Sequence, residues 1–542
     1  MLLGLALLAV LGCNRGLWTP DEPREAEISR EMALAPSFIP TLNGQRFIEK
    51  PPLYYWVVAF AFRVTGAASV LAARAVSVAA GLATLLLLVH WGAAARSLRA
   101  GLIAASLLAT SVQFMVSTHW VLIDPLLMLA TTVAAWAAWQ LLVRREDSGA
   151  RPGLLYVVLL YLALVLALWI KGLVGPALIV AGLALYVLTD RPRHWRRLRP
   201  WTGVALLAAA VAVLALAIAS QGGAAAVWEW AYVNHVRRLV DPLASSGHRQ
   251  PPLYYLWTLP YAMLPWLLPL IEALRPAQWR RGTLPGPVAS PEVGRYGALM
   301  GAGMLLLLSL SATKRETYLL PVLPLLFLWL GVRTEQWWLG WCQQGVRRLG
   351  LACWLQVALL CVYCLLPPLA ARVFVGRFSV PIVIALALAA LPALVLVYLS
   401  AAGERERAGA WALIAAFAGA GIFLALAPVV LNDIKDMGPF VQAVGRRLPP
   451  GQPVYAVNVD ETLAAEIGFY TGRRALAVDP QSLPQPLPRW LLVQDNHEAS
   501  PAAPAAAGRP APAPGYLLVA ERAFGPRRSL ALWQARDASP QP

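Results

Sequence analysis

Long apolar runs recur along most of this chain, and they restrict the folds open to it more than any other feature. Several runs approach the ~20 residues that a helix needs to cross the ~30 Å hydrocarbon core of a membrane. Hydrophobic residues make up 59% of the 542 residues and charged residues 13%, and the mean hydropathy is +0.59. A soluble protein would show amphipathic stripes instead. The chain is therefore predicted to be an α-helical polytopic membrane protein.

The basic residues indicate the orientation of the chain in the membrane. Every second connector between apolar runs is rich in arginine, as in RPRHWRRLRP at 191–200. By the positive-inside rule these connectors are cytoplasmic, and the remaining ones face the periplasm or lumen. The alternation predicts roughly thirteen spans, beginning with the run at 2–11, with the N-terminus inside and the C-terminus outside. The net charge of +17 comes mainly from these arginines, so no nucleic-acid partner is expected.

A large outer loop is predicted between the first two spans, at about 13–69. Its segment KPPLYYWVVAFAFRVTG, at 50–66, is interpreted as a helix lying in the membrane interface and not as a span. Its apolar run is short, Arg63 interrupts it, and the aromatic residues of the YYW motif are typical of headgroup depth.

The hydrophobic pattern changes after about residue 431, which divides the chain into a transmembrane domain at 1–431 and an outer domain at 432–542. Apolar runs shorten to strand length in PVYAV, RALAV, RWLLV, GYLLVA and SLALW. The segment ETLAAEIGFYTG predicts an amphipathic helix that ends at Gly472. A small periplasmic α/β domain follows, interrupted by a Pro/Ala-rich surface loop at 499–514 and without a recognisable catalytic signature.

A cluster of carboxylates follows the first apolar run in WTPDEPREAE, at 18–27. Carboxylates at the end of a span cost desolvation, so they are retained where they face a water-filled cavity or a cation. Asp21 and Glu22 lie between two prolines, which fix the local backbone and so aim these side chains. Three neighbouring carboxylates are interpreted as solvated surface charges: Glu25, Glu27 and Glu31.

Lysine is rare in this chain, which has only Lys50, Lys171, Lys314 and Lys435 among its 45 basic residues. The first three fall on predicted outer connectors or span ends, against the positive-inside trend. An ammonium is a compact charge suited to binding phosphate. The alternative, a chance choice of lysine at a solvated position, is favoured at Lys171 but not at Lys50 or Lys314.

Five segments together resemble the aminoarabinose (4-amino-4-deoxy-L-arabinose) lipid A transferases. They are DEPREAEISREMA, LNGQRFIEKPPLYYW, LAARAVSVAAGLAT, the Asp124 motif LIDPLLML, and SATKRETYLLP. These enzymes form part of the protein O-mannosyltransferase-like branch of integral membrane glycosyltransferases with the GT-C fold. The similarity extends in order from residue 18 to about residue 431, and the outer domain fits in position but not in motif.

The resemblance implies a function. The chain is expected to move 4-amino-4-deoxy-L-arabinose from undecaprenyl phosphate to a lipid A phosphate on the periplasmic face of the bacterial inner membrane. This modification of lipopolysaccharide lowers susceptibility to cationic antimicrobial peptides such as polymyxin. Beyond the lipid-linked donor, the lipid A acceptor and membrane lipids, no partner is expected, and the protein is expected to be a monomer.

The resemblance also assigns roles to individual residues. Asp21 corresponds to the essential catalytic carboxylate of the first outer loop, Asp124 to a second carboxylate, and Lys50 to the lysine that binds the carrier phosphate. Further carrier-phosphate contacts are expected at Arg24, Lys314, Arg315 and Tyr318. Because the family's lysine-centred motif occurs here as ATKRETYLLP, either Lys314 or Arg315 can fill the place of its lysine.

The chemistry of the transfer suits these residue types. The leaving phosphate gains negative charge, which Lys50 would stabilise with help from Arg24 or Lys314. A lipid A phosphate is already ionised, so Asp21 would orient the acceptor or the donor amine, or stabilise oxocarbenium character. For a hydroxyl acceptor, Asp21 would have to act as a base.

The predicted outer loop at 221–252 supplies further candidates. Arg237 and Arg238 are expected to contact the acceptor phosphate. Glu49 and His235 are candidate ligands of a divalent metal ion, because carboxylate and imidazole suit such an ion. The sequence indicates no other cofactor. A hydrogen-bonded structural histidine is the competing interpretation of His235.

Two other functions agree with the same sequence. One is a related transferase that uses another sugar or a protein hydroxyl acceptor. The other is a transporter of a lipid-linked sugar, which should carry charges at mid-span and inverted repeats. The transporter is less favoured, because the charges cluster at the outer surface and no repeat is evident.

Overall fold

The computed structural model describes most of the chain as two compact units. The described residues are 10–13, 15–143, 153–190, 195–237, 249–274, 291–343, 351–449, 451–484, 487–496, 512–524 and 528–536. The first unit, here called the membrane unit, comprises Met1–Cys13, Ile48–Tyr54 and Arg74–Leu426. The second, called the C-terminal unit, comprises Asn14–Phe47, Tyr55–Ala73 and Ala427–Pro542. The predicted boundary at 431/432 falls inside a helix, Arg405–Lys435, and stays a prediction.

Eight helices within the described part of the chain are long and apolar enough to cross a membrane. A bent pair, Leu98–Ala109 with Val112–Thr118, makes nine if the pair counts as one broken span. The protein is therefore a helical multi-pass membrane protein, as predicted. The eight are Val70–Ala95, Asp124–Leu142, Leu154–Lys171, Trp195–Asn234, Val293–Leu310, Leu351–Val375, Val380–Ala401 and Glu406–Lys435.

Other helices complete this part of the fold. They are Val174–Asp190, the 3₁₀ turn Glu316–Leu319, Tyr254–Ala262, Leu267–Leu274 and Leu323–Gln343. The span Trp195–Asn234 itself begins with the 3₁₀ turn Trp195–Leu198. The count of roughly thirteen spans stays a prediction. Most of its first span, at 2–11, lies outside the described residues, and some of these helices are shorter than a membrane requires.

Small residues and helix caps shape the packing of the membrane unit. A Cβ added at Gly303 would lie 2.6 Å from the Ala181 carbonyl oxygen, so the two helices that carry these residues approach closely. The helix Leu98–Ala109 begins at Ser97, whose side chain accepts a hydrogen bond from the Ala100 amide at 3.0 Å. Glu335, 3% exposed, pairs with Arg96 at 2.5 Å and fixes the same corner.

The predicted loop at 221–252 is partly helical. The helix Pro200–Trp228 continues as a π-helix over Glu229–Arg237, with an interruption at Gly223, where φ is +71°. The sequence GGAAAVW is rich in alanine, which favours helix and offsets the cost of the two glycines. Residues 221–237 are therefore helical, whereas residues 238–248 lie outside the described part. The place of this connector on the outer side of the membrane stays a prediction.

The C-terminal unit contains the predicted α/β domain. Its strands are β3 (Val454–Val457), β4 (Ala475–Ala477), β5 (Trp490–Asn496), β6 (Tyr516–Ala523) and β7 (Arg528–Ala535), in the order β4-β3-β5-β7-β6. β3 pairs parallel with β4 and β5, whereas β7 pairs antiparallel with β5 and β6. All five strands predicted from the sequence are confirmed.

Two helices cover one face of this sheet, Gly438–Arg447 and Glu461–Thr471. The second begins at Asp460, whose carboxylate accepts the Leu463 amide at 2.9 Å, and ends at Gly472 with φ +69°, as predicted. Their apolar faces meet buried strand residues such as Leu492 and Leu532 in one core.

The remaining elements come from the predicted outer loop. They are the helix Asp21–Leu34, the hairpin β1 (Thr41–Leu42) and β2 (Gln45–Arg46), and the helix Leu53–Thr65. The last of these confirms that 50–66 is largely helical. Its position in the membrane interface stays a prediction.

Candidate active site

The helix Asp21–Leu34, here called the Asp21 helix, places two acidic residues in its first turn, Asp21 and Glu22. Negative side chains are stabilised there by the unpaired backbone amides and by the helix dipole. Asp21 is 7% exposed and Glu22 is fully buried. Asp21 and Glu22, the two carboxylates that lie between prolines in the sequence, are therefore both buried. The chemical role of each depends on the groups that it contacts.

Glu22 has partners that give it a structural role. Its carboxylate forms a buried ion pair with Arg15 and accepts the Trp18 backbone amide at 2.8 Å. The Arg15 guanidinium in turn lies 3.6 Å from the centre of the Trp18 ring. These contacts hold the chain just before the Asp21 helix in one conformation.

Asp21 has a weaker cationic contact. The Arg24 guanidinium lies 3.4 Å from the Asp21 carboxylate and 3.5 Å from that of Glu25. Burial by itself lowers the pKa of Arg24, but the carboxylates of Glu25 and Asp21 outweigh it and raise this pKa above its ordinary value. Arg24 is thus positioned to orient Asp21, while its predicted contact with the carrier phosphate stays a prediction.

The other carboxylates of this helix were expected to be solvated, and for two of them the expectation is wrong. Glu25 is 2% exposed and Glu27 1%. Glu27 accepts two hydrogen bonds from Arg30, at 2.7 and 2.8 Å. Burial raises the pKa of Glu27 to about 7, although Arg30 lowers it. The polar side of the Asp21 helix is covered because it packs on the helix Glu461–Thr471 of the same unit.

In the membrane unit, Asp124 and Lys171 form an ion pair. The Lys171 ammonium lies 2.5 Å from the Asp124 carboxylate. Asp124 is the first residue of the helix Asp124–Leu142, and Lys171 is the last residue of Leu154–Lys171, which ends at Gly172 with φ +73°. Each charge therefore also complements the dipole of its own helix.

An aromatic residue completes this cluster. The Lys171 ammonium lies 4.3 Å from the centre of the Tyr318 ring, within the range of a cation–π interaction. Tyr318 belongs to the 3₁₀ turn Glu316–Leu319. The preceding Arg315 carbonyl accepts a hydrogen bond from the Tyr255 hydroxyl at 3.3 Å. The structure thus brings Asp124 and Tyr318, which the sequence predicted, together around Lys171.

Lys314 lies on the same loop as Tyr318 but is bound differently. It is 3% exposed, and its ammonium donates to the carbonyls of Gln250, at 3.2 Å, and Ser311. Burial lowers the pKa of Lys314. No carboxylate of the described residues pairs with it. A buried ammonium held only by carbonyls can still accept an anionic partner, so a phosphate contact stays a prediction.

The other candidates are only partly described. Glu49 and Lys50 lie in the turn before Leu53–Thr65 and are partly buried. Arg237 is exposed at the end of the π-helix, whereas Arg238 and the side chain of His235 lie outside the described residues. Within the described part, no three His, Cys, Asp or Glu side chains converge as metal ligands. Because the His235 side chain lies outside that part, a divalent ion between Glu49 and His235 stays a prediction.

A family model matches the first part of the chain. Residues 13–233 match the model for dolichyl-phosphate-mannose-protein mannosyltransferase. This range contains Asp21, Lys50, Asp124 and Lys171.

Curated relatives extend the match. The undecaprenyl phosphate-alpha-4-amino-4-deoxy-L-arabinose arabinosyl transferase of Pseudomonas paraeruginosa is 33% identical over 332 residues, which cover 60% of this chain and 57% of the relative. The enzyme of the same name from Edwardsiella ictaluri is 33% identical over 328 residues, 59% of this chain and 56% of the relative. The resemblance to the aminoarabinose transferases is confirmed. The match spans just over half the length of these relatives.

A solved structure of an aminoarabinose transferase establishes the fold. The crystal structure of ArnT from Cupriavidus metallidurans bound to undecaprenyl phosphate superposes with a TM-score of 0.73 at 20% identity, over 100% of this chain and 98% of that one. The apo structure of the same enzyme gives the same values. The predicted GT-C fold, with its small C-terminal sheet domain, is therefore correct.

Sequence reasoning gave too little weight to Lys171, which was interpreted as solvated. One signal was available: Lys171 is among four lysines of the chain and directly precedes a glycine at the end of an apolar run. A charge at the outer end of a span needs a partner, and Asp124 at the start of another span was the matching residue. The interpretation of Lys171 as solvated is wrong.

Proposed function

We propose that this protein transfers 4-amino-4-deoxy-L-arabinose from undecaprenyl phosphate to a phosphate of lipid A. Two lines support the proposal: the confirmed resemblance to arabinosyl transferases over 60% of the chain, and buried charge clusters on segments that the resemblance assigns to the reaction. The observation that carries it is the Asp124–Lys171–Tyr318 cluster, in which an ammonium is held at the ends of two spanning helices.

The reaction exchanges one bond to the sugar for another. The bond between the anomeric carbon and the carrier phosphate oxygen breaks, and a bond forms between that carbon and an oxygen of the acceptor phosphate. Undecaprenyl phosphate leaves with the bonding electron pair and gains one negative charge. Because the acceptor phosphate is already ionised, no proton has to be removed, and the protein contributes mainly by stabilising charge and by positioning.

In this scheme cations face the leaving phosphate. Lys50 binds the phosphate of the carrier in both the donor and the product, and Lys314 or Arg315 supports it. Lys171, held in place by Asp124 and the Tyr318 ring, offers a second oriented ammonium in a region of low dielectric. A fixed cation in such a region stabilises developing negative charge more than a mobile one in water, because it needs no reorganisation.

Asp21 faces the sugar. Arg24 contacts its carboxylate at 3.4 Å, and a carboxylate oriented in this way suits attraction to the sugar's ammonium group or to positive charge at the anomeric carbon in the transition state. Arg237 and Arg238 contact the acceptor phosphate. No step of the proposed reaction is assigned to a metal ion.

We further propose that the protein lies in the bacterial inner membrane, as a monomer, with the reacting groups on the periplasmic side. The arginine-rich connectors support this orientation, because they belong in the cytoplasm and alternate with the connectors that carry Lys50, Asp124 and Lys314. Lipid-linked donor and lipid A then meet from the same leaflet.

The test compares lipid A from cells with and without the gene by mass spectrometry. The proposal expects a pentosamine adduct on lipid A phosphate that disappears in the deletion strain and returns with the parent gene but not with Asp124→Asn. An adduct of another mass would instead support a related transferase. Unchanged lipid A together with altered transbilayer distribution of the carrier would support the transporter.

A further inference from the structure

We propose that the C-terminal α/β domain holds the Asp21 helix in its reactive position, and that Gly468 is the positioning residue through which it does so. The inference rests on the proposed function, because it takes Asp21 to be the catalytic carboxylate. Asn14–Phe47 and Ala427–Pro542 belong to the same compact unit. The α/β domain has no catalytic signature of its own, so a positioning role would explain why it accompanies the membrane domain.

The backbone just before Asp21 is bonded to the domain's helix Glu461–Thr471. The Leu17 amide donates to the Tyr470 hydroxyl at 3.1 Å, and the Thr462 hydroxyl donates to the Pro20 carbonyl at 3.2 Å. Burial raises the pKa of Tyr470, so this hydroxyl stays neutral and keeps both of its hydrogen-bonding functions. The two bonds fix both ends of the short segment that precedes Asp21.

The same segment is bonded to the end of the helix Arg405–Lys435. The Trp18 indole donates to the Asn432 side chain at 2.9 Å. The Thr19 amide donates to the Lys435 carbonyl at 3.2 Å, and the Lys435 ammonium donates to the Thr19 carbonyl at 3.2 Å. The approach to Asp21 is therefore fixed residue by residue, through backbone groups of Leu17, Thr19 and Pro20 and through the side chain of Trp18.

Gly468 allows the Asp21 helix to lie against the domain. A Cβ added at this position would lie 2.6 Å from the Glu27 carboxyl carbon. The Glu27 carboxylate is 1% exposed and accepts two hydrogen bonds from Arg30, so it can withdraw only if this ion pair rearranges. A side chain at position 468 therefore displaces either the Glu27–Arg30 pair or the Asp21 helix that carries it.

The far end of the loop is joined to the domain as well. The Asn43 side-chain amide donates to the Ala475 carbonyl at 2.7 Å and accepts the Ala475 amide at 2.9 Å, so it continues the hydrogen bonding of edge strand β4. Asn43 adopts a left-handed backbone, with φ +54°, which asparagine tolerates better than most residues. The chain before the Asp21 helix and the chain after it are thus both hydrogen-bonded to the α/β domain, and Gly468 contacts the helix between these two points.

The experiment introduces Gly468→Ala into the full-length protein. Alanine favours a helix over glycine by about 1 kcal/mol, so the change should not unfold the domain by weakening its helix. We expect kcat to fall about 10- to 100-fold, the cost of moving a reacting group by roughly 1 Å. The KM for the lipid-linked donor should stay within about threefold, because Lys50 and Lys314, the main proposed contacts of the carrier phosphate, do not lie on the Asp21 helix.

Two further variants separate positioning from loss of stability. Leu532→Ala removes a buried side chain from the domain core, in a cluster that contains no residue of the Asp21 helix, and should lower the melting temperature with little change in kcat. Glu27→Asp shortens the side chain that meets position 468. Combining it with Gly468→Ala should restore kcat by at least about fivefold over Gly468→Ala alone, which a purely additive pair would not do.

The outcomes keep the two proposals apart. Parental kcat in Gly468→Ala, or kcat losses in Gly468→Ala and Leu532→Ala that merely follow their melting temperatures, would overturn the positioning role and leave the proposed function standing. Parental transfer by Asp21→Asn would overturn the catalytic assignment itself. Loss of kcat in Gly468→Ala with recovery in the double variant supports the inference.

Discussion

The ammonium of Lys171 lies 2.5 Å from the carboxylate of Asp124, at the point where one spanning helix ends and another begins. Neither charge is more than 14% exposed in its side chain. Removing one partner of a buried pair leaves the other uncompensated, at a cost of roughly 3–5 kcal/mol. The pair therefore acts as a unit, and each member should be tested together with the other.

Lys171→Met should lower kcat for transfer about 100- to 1,000-fold, the usual cost of losing one preorganised group that stabilises developing charge. Asp124→Asn should cost nearly as much, because it frees the ammonium from its fixed position. The double variant should be hardly worse than either single one, since the pair is already broken. The measurement is transfer from lipid-linked sugar in membranes, at matched expression.

Lys171→Arg is the matched control for charge. It keeps the cation and the helix-terminal position but replaces a compact group by a planar one above the Tyr318 ring. A structural pair needs only the charge, so full activity of Lys171→Arg combined with inactivity of Lys171→Met would point to stability and not to chemistry. Melting temperatures of both variants decide between these explanations.

Asp21→Asn should abolish most of the transfer while the protein remains folded, because the amide keeps the shape of the side chain and loses its charge. The matched control is Asp433→Asn, which removes an exposed carboxylate from the same unit and should be neutral. Both are assayed for transfer and for binding of undecaprenyl phosphate. Equal loss in the two variants would mean that general surface charge, and not Asp21, is what matters.

The stability of the protein should depend on pH through Glu27. Burial raises the pKa of Glu27 from 4.5 to about 7 in the folded state. Between these two pH values the folded state binds more protons than the unfolded state, so stability falls as pH rises across that window. Glu27→Gln removes this contribution, which is at most about 3 kcal/mol, and should flatten the profile.

Thermal unfolding in detergent across that pH range measures the effect. In Glu27→Gln the dependence of stability on pH should become weaker but should not disappear, because burial also raises the pKa values of Glu466 and Asp436 in the same unit. A parallel profile for Glu27→Gln, shifted but not flattened, would contradict the assignment. A profile whose stability rises with pH in the parent would contradict its sign.

Patterns with a short period were predictable from the sequence. The five strands after residue 431 alternate or cluster in runs of strand length, and the helix between the first two ends on Gly472, whose φ of +69° is one that glycine adopts without strain. The spanning helices follow from apolar length alone. These features are local, so no knowledge of long-range packing was needed to find them.

The partners of charged residues were not predictable in the same way. Glu27 looked solvated because four charged residues surround it between Arg24 and Glu31, yet a glycine more than four hundred residues later covers it. Lys171 was interpreted as solvated, because its partner, Asp124, lies 47 positions earlier in the chain. Burial of a charge depends on which distant surface reaches it, and a single sequence does not contain that information.

The predicted orientation has a direct test. A reporter that is active only outside the cytoplasm should be active when fused after Leu431 and inactive when placed near Arg196, while a cytoplasmic reporter should give the reverse pattern. The reason is the arginine-rich connector at 191–200. Finding both positions on the same side of the membrane would exclude a C-terminal domain on the face opposite that connector.

Lys50 should distinguish binding of the carrier from chemistry. If its ammonium holds the carrier phosphate, Lys50→Ala should weaken binding of undecaprenyl phosphate, the product without its sugar, as well as turnover, because the charge would be missing from ground and transition states alike. Lys50→Arg should recover part of the binding with poor turnover, since a longer planar group replaces a compact one.

The competing role of Lys50 is to anchor the helix Leu53–Thr65 at the membrane surface, a role that arginine fills without loss. Native mass spectrometry with the lipid, beside a transfer assay on the three proteins, separates the two. Full activity of Lys50→Arg with normal carrier binding by Lys50→Ala would move the leaving-group contact to Arg24 or Lys314.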